Sequence, residues 1–517
     1  MLSRPAEARA GSILSAAAQA QVARRRDLAT ALAMLLIVTA VAALASLTAP
    51  EPFSVAFVAL VVVCAVAVAR PSVGLLAVVM LALLGDNTTA WWYPFTKNLS
   101  SQESILFVSD RFPISPLEIV LFVTTAAWLL SALGDPNWRF RAGRLLVPVL
   151  VFTCFAVVGL LYGYVRGGDV NVALWEARPL FYLPVVYVLV TNLITDDRGR
   201  IQLMVVAMGG IAVQALLSLH YYWRVLTPDQ RDGLERLTDH AAAIHQNAFF
   251  VFVLALVLLR ATPLRYRLAA SAAAVPVGIS WVLSQRRAAA IALLLGMALL
   301  SLVLLWRNRR AALWFVPLFG LGLTAYLAAF WNVEDGAGFV AQAVKSVIAP
   351  ETVSARHASS NLYRELETFN VWFTIRQHRL TGVGFGQPFY RPLPLADISV
   401  FPFWEFMPHN SMLWIYLKTG FLGFASMLFV LARTIQRGTV TALTAGGAAM
   451  TAVTTTALSY VLMYVVYAYV DIAWDIRSTL FLAVTAAICA DSFNSQGTAR
   501  DAVLGTAEVR ANEPSAR

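Results

Sequence analysis

The sequence predicts an all-α, polytopic integral membrane protein: a bundle of apolar helices interrupted by one large polar loop. Three observations predict it. Of 517 residues, 59% are hydrophobic and only 13% charged, where a soluble chain carries roughly a quarter charged. The mean hydropathy is +0.69. Apolar runs long enough to cross a hydrocarbon core of about 30 Å recur along most of the chain.

Taken in order, the runs fall at 28–48, 52–70, 116–134, 145–163, 179–195, 201–221, 245–260, 268–283, 288–306, 311–331, 410–432 and 444–467. A shorter one at 476–490 also reads as a crossing, and the run 71–84, ending at "GDN", either spans with tilt or re-enters. The expectation is 14 spans, with 12 as the alternative. The opening "RRRDLATALAMLLIVTAVAALASLTAP" has the charge and apolar core of a secretory signal. Its long basic region, and the many spans that follow, favour a first transmembrane helix over a cleaved signal. The organisation expected is thus a cytoplasmic tail over 1–27, eleven spans within 28–331, a loop over 332–408, three spans within 409–490, and a cytoplasmic tail over 491–517.

Charge sets the orientation. Lys and Arg number 39 against 29 Asp and Glu, but the excess is spread over short turns between apolar runs. The segments "RRR" at 24–26, Arg70, "NWRFRAGR", "DDRGR", "RATPLRYR", "RNRR" and "ARTIQR" fall at alternate turns, as the positive-inside rule requires of cytoplasmic ones. This placement argues against a nucleic-acid face and puts both termini inside. The loop 332–408 and His409 at its end then face outward, towards the periplasm or exterior. The three cysteines, Cys64, Cys154 and Cys489, lie inside apolar runs with no metal-ligand spacing and no disulfide framework. No metal or cofactor is expected.

Outward basic residues beside a span need a separate reason. "WEARPLFYLPVVYVLV" puts Glu176 and Arg178 at the outer end of one helix, and "WVLSQRRAAAIALLL" puts Arg286 and Arg287 in a tight turn between two others. A guanidinium within the membrane costs roughly 2.5–3.5 kcal/mol at mid-bilayer, and less near an interface. Two adjacent ones point to a compensating anion, and a diphosphate suits the planar, bidentate donors of Arg. Snorkelling to lipid phosphates is the competing account, evenly matched for Arg178 alone.

Within the loop, "SSNLYRELETFNVWFTIRQH" reads as an amphipathic helix. Leu362, Leu366, Phe369 and Phe373 share one face, and Ser360 is the expected N-cap. Such a helix lies on the membrane surface or covers a cavity. "LTGVGFG" follows, a glycine-rich turn whose spacing suits a backbone bend better than a phosphate cradle, since no strand precedes it. Of the six histidines, His220, His240, His357 and His378 read as interfacial or solvated, and His245 as a helix-start residue. His409 differs: it sits between Pro408 and Asn410 where the loop re-enters the membrane. It either caps the helix with Asn410 or serves as a base, since a neutral imidazole accepts a proton near neutral pH.

Three segments in order, "GISWVLSQRRAAAIALL", "LETFNVWFTIRQHRLTGVGFGQPF" and "MPHNSMLWIYLKTGFLGF", resemble the O-antigen ligase and O-antigen polymerase superfamily. The resemblance is strongest over about 245–432. It implies a metal-independent, inverting glycosyltransferase that moves a glycan from an undecaprenyl diphosphate carrier to an acceptor hydroxyl on the outer face of a bacterial inner membrane. Its partners would be that lipid-linked donor, a glycan or lipid acceptor, and membrane lipids, with no nucleic acid. Arg178 and the Arg286/Arg287 turn would match the arginines that hold the diphosphate, and His409 the histidine that activates the acceptor. Arg364, Gly384 and Asn410 complete the candidate substrate-contacting set. The chain departs from the family pattern at Arg379, commonly proline, and at Lys418, acidic in many members. Asp471 and Asp475 rank low as orienting groups. The competing readings are a flippase or transporter of an anionic lipid or polysaccharide, which predicts internal repeats, and a non-catalytic scaffold. No repeat is evident.

Overall fold

The computed structural model describes residues 52–490, apart from 137, 235, 334–335, 353–354, 399–400 and 402; the side chains of 355–357 also lie outside the description. The apolar run at 28–48 and both terminal tails fall outside the described residues. Every regular element among those described is helical. Among the described residues ten helices are long and apolar enough to cross a membrane, and four shorter apolar ones accompany them. The chain is a polytopic helical membrane protein.

It divides into two units, 1–139 and 140–517. In the first, α1 (Pro52–Ala69), α2 (Pro71–Leu84) and α3 (Pro116–Leu133) pack on one another. Proline begins all three, where its missing N–H costs nothing. Ser115 and Glu118 close a reciprocal capping box on α3. Almost all of α2 is buried, so the 71–84 run is an interior helix of its unit.

The second unit contains α4 (Leu146–Val165), α5 (Val170–Leu193), α6 (Asp197–His220), the short α7 (Pro228–Asp232), α8 (Ala242–Leu258), α9 (Leu264–Ser284), α10 (Arg287–Arg307) and α11 (Arg309–Phe330). After these come α12 (Phe339–Ile348), α13 (Ala355–Gln377), α14 (Ser411–Thr444), α15 (Ala448–Val470) and α16 (Ile476–Ala490). The centre is α15, packed against α8, α10, α14 and α16, with 78% of its apolar window buried. By contrast α11 buries a single residue, Ala312, and presents its apolar surface outward, as a lipid-facing helix does. The helix predicted from 179 begins nine residues earlier, at Val170, with Asp169 as its N-cap. Glu176 and Arg178 therefore sit inside it.

One break in a helix positions the loop. Within α14, Gly420 adopts φ +71°, outside helical geometry. The break frees the Leu417 carbonyl and the Phe421 N–H, which would be costly left unpaired in a membrane. The glycine-rich turn answers both. Val383 N–H donates to Leu417 O at 2.7 Å, and Phe421 N–H donates to Arg379 O at 3.0 Å. Such close backbone approach excludes a side chain: a Cβ on Gly420 would lie 2.0 Å from the Leu380 carbonyl oxygen. Gly420→Ala should cost about 1–3 kcal/mol from the backbone conformation alone. A lower melting temperature of the detergent-solubilised protein is the expected readout.

Candidate active site

Four connecting segments meet at one end of the second unit: 237–241, the turn 285–286, the stretch leading into Ser411, and 471–475. Ser411 ties two of them, its hydroxyl donating to Asp471 O at 2.9 Å and accepting from Ala473 N–H at 2.8 Å. The long loop packs over the same end through α13.

The buried face of α13 is polar. Glu367, Asn370 and Thr374 are almost wholly enclosed, with buried Val371 and Ile375 beside them. Asn370 pairs with the Leu393 backbone through both amide atoms, at 2.8 and 3.0 Å, and the Thr374 hydroxyl accepts from Tyr390 N–H at 2.9 Å. Leu362, Phe369 and Phe373 point outward, and Leu366 is half-buried. The apolar stripe read from the sequence therefore faces away from the protein, and a polar stripe holds the loop. The helix also starts at Ala355, so Ser360 lies inside it and is not its N-cap.

Glu367 is the partner of His409. Its carboxylate accepts the His409 backbone N–H at 2.8 Å and lies 3.1 and 3.2 Å from the ring Nδ1. The network assigns the proton to Nδ1, leaving the lone pair on Nε2. Tyr363, one turn before Glu367, sets its ring edge-on to the imidazole at 5.7 Å. Burial, with the Glu367 charge, pushes the Tyr363 phenol well above its ordinary pKa. The carboxylate nearest His409 in sequence, Glu405, is engaged by Arg391 instead. Asn410 caps α14, accepting Leu413 N–H at 3.0 Å. The His-Asn pair thus divides its work: Asn410 ends the helix and His409 turns to the carboxylate.

A cavity of about 600 Å³ opens beside this pair, lined by His409, Asn410, Arg364, Arg376 and Tyr469 among others. Arg286 and Arg287 are close to it without lining it. The Gln285 backbone is left-handed, φ +48°, which turns the chain so that α10 starts at Arg287. Arg287 Nη2 meets Asn361 Oδ1 on α13 at 3.4 Å. Arg286, 7% exposed, reaches Thr238 O at 3.2 Å and the His240 ring at 3.2 Å. The turn and the histidine thus share one end of the unit through α13.

Two remaining candidates sit apart from the cavity. Gly384, φ +88°, packs on Gly163, where a Cβ would come within 2.5 Å of backbone. Arg178 is half-buried on α5 and does not line the cavity. Its neighbour Glu176 is fully buried and ion-paired to Lys418 at 2.9 Å. Lys418 also donates to Gln387 O at 2.6 Å. An acidic residue at 418 would face Glu176 across this gap, so the departure from the family pattern is matched by its partner.

Asp471 and His240 form a pair that the sequence reading did not join: Asp471 is buried and His240 lies at its edge, partly exposed. Asp471 accepts from His240 Nδ1 at 2.7 Å. Burial raises its carboxyl, but His240, Arg286 and Arg364 outweigh that and hold it well below the usual carboxylate range. Asp475 receives Arg477 at 3.0 Å. His245 is enclosed in α8 between Tyr460 and Phe481.

None of the curated proteins compared matches this chain. Residues 272–428 match the family model described as O-antigen ligase, a stretch that runs from α9 to α14 and includes Arg286, Glu367 and His409. Over that stretch the chain is similar to the O-antigen ligase family, consistent with the O-antigen ligase and polymerase superfamily.

Proposed function

We propose that the protein is a glycosyltransferase of the bacterial inner membrane that moves a glycan from an undecaprenyl diphosphate carrier to an acceptor hydroxyl on the periplasmic face. The observation that carries this reading is the Glu367–His409 pair opening on a cavity lined by arginine. With Nδ1–H committed to Glu367, Nε2 accepts the acceptor's hydroxyl proton as its oxygen attacks the anomeric carbon. The bond from that carbon to the diphosphate oxygen breaks, and the diphosphate leaves with the electron pair. Direct displacement inverts the anomeric centre. Guanidinium groups, with Arg364 at the cavity and Arg286 and Arg287 behind it, supply positive charge where the leaving group gathers negative charge. The scheme needs no metal. Arg178 takes part only if the donor extends along α5.

Purified protein given undecaprenyl diphosphate-linked glycan and candidate acceptors is expected to yield transferred product. Relocation of the lipid without transfer would instead favour a flippase, and neither result a scaffold. Site-directed labelling should place residues 287 and 409 on the same, non-cytoplasmic side. Labelling from opposite sides would end the proposal.

A further inference from the structure

Arg286 is one of the two adjacent arginines that the sequence offers for holding an anion, yet it is nearly buried. Two of its nitrogens already face Thr238 O and the His240 ring. Its Nε has no partner among the described residues, and that atom is itself buried. The group in this cluster that meets solvent is His240, whose side chain is 38% exposed.

His240 is held from several directions. Its backbone carbonyl accepts the Tyr467 hydroxyl. Asp239 beside it pairs with Arg477, and Leu237 N–H donates to Leu283 O at 3.2 Å. The ring Nδ1 lies 2.7 Å from the buried Asp471 carboxylate. One nitrogen cannot both donate to Asp471 and accept from Arg286, and the shorter contact to a carboxylate keeps the proton on Nδ1. Arg286 then rests against the ring. Nε2 has no hydrogen-bond partner among the described residues.

The surrounding charges balance, with the arginines Arg286 and Arg364 on the Asp471 side of the ring. Arg286 and Arg364 act on Asp471, while Asp239 and Asp475 share Arg477. Asp471 directly follows Tyr469 and Val470, which line the cavity with Arg364 and His409. A second imidazole–carboxylate pair therefore adjoins residues of the same cavity without lining it. With Nδ1–H on the carboxylate, the imidazolium form of the ring presents Nε2–H to an anion.

We propose that His240, positioned by Asp471, is the residue through which the Arg286 cluster contacts the diphosphate of the lipid-linked donor. This rests on the reading of the site as a glycosyltransferase centre. His409 and His240 then divide the work, one beside the acceptor hydroxyl and the other at the leaving group.

The test uses the full-length protein in detergent, with undecaprenyl diphosphate as the binding probe and the lipid-linked glycan as donor. His240→Gln should weaken probe binding and raise the donor KM about tenfold, with the acceptor KM unchanged. His240→Arg, which restores a cation, should recover most of that loss. Asp471→Asn should weaken binding in the wild-type background and add little in the His240→Gln background. Undiminished probe binding in His240→Gln would overturn the assignment. Equal losses in the Gln and Arg variants with a lowered melting temperature would do the same, by showing a structural role. If the wild type transfers glycan and His240→Gln behaves like it, the His240 assignment alone falls. If the wild type neither transfers nor binds the probe, the reading of the whole site falls with it.

Discussion

Replacing His409 by alanine is expected to abolish glycan transfer while leaving the protein folded in the membrane. The imidazole is 21% exposed at the cavity wall, and Asn410, not His409, supplies the helix cap, so truncation removes the base without uncapping α14. Loss of general base catalysis typically costs about 10²–10⁴-fold in rate, and the expected loss in kcat lies in that range. Glu367→Gln is the sharper companion. A glutamine can still accept the backbone N–H of His409, but it no longer offers a charge to the ring. It should lower kcat by a smaller factor than His409→Ala, with the donor KM nearly unchanged. The double variant should be no worse than His409→Ala alone, because both residues act through one imidazole. Product formation near the wild-type rate in His409→Ala would remove the base assignment.

The second large effect concerns stability. Lys418 and Glu176 have no side-chain exposure and lie 2.9 Å apart. Glu176 also accepts Gly386 N–H at 2.7 Å and Trp414 Nε1–H at 3.2 Å. The pair therefore joins α5, α14 and the glycine-rich turn. Removing one member of a buried pair strands the other charge, at a cost of about 3–5 kcal/mol. Lys418→Met should accordingly lower the melting temperature by many degrees and loosen the turn that carries the loop. Adding Glu176→Gln should restore much of the loss, since the uncompensated charge is gone and the amide can still accept a hydrogen bond. If Lys418→Met melts like the wild type, the pair contributes nothing to stability.

Gly384 shows how one motif can be read two ways. Its spacing attracts a phosphate-binding interpretation, while its backbone packs on Gly163. The neighbouring contacts of Val383 and Arg379 with α14 explain why the turn is rich in glycine: strands of backbone approach too closely for side chains. The physical demand is satisfaction of the carbonyl and N–H freed at Gly420, and that demand is invisible until both segments are placed together.

The amphipathic helix carries a similar lesson. Leu362, Phe369 and Phe373 repeat at helical spacing, so the helix was legible. Which face it buries was not, because apolar periodicity presumes that water lies on the other side. Beside a membrane that presumption fails, and the polar stripe of Glu367, Asn370 and Thr374 turns inward to bind backbone. A search for carboxyl, amide and hydroxyl side chains at i, i+3 and i+7 on that helix would have found the partner of His409.

What the sequence by itself determined is the class of protein and most of the helices; it also singled out His409 and the Arg286/Arg287 turn as candidates. Hydropathy and the placement of charge are local quantities, and a membrane amplifies them. Only the tertiary structure decided which carboxylate faces which imidazole. Glu367 lies 42 residues from His409, and Asp471 lies 231 residues from His240. Such pairs form because burial makes an isolated charge or imidazole costly, and the group that relieves that cost can come from anywhere the fold brings close.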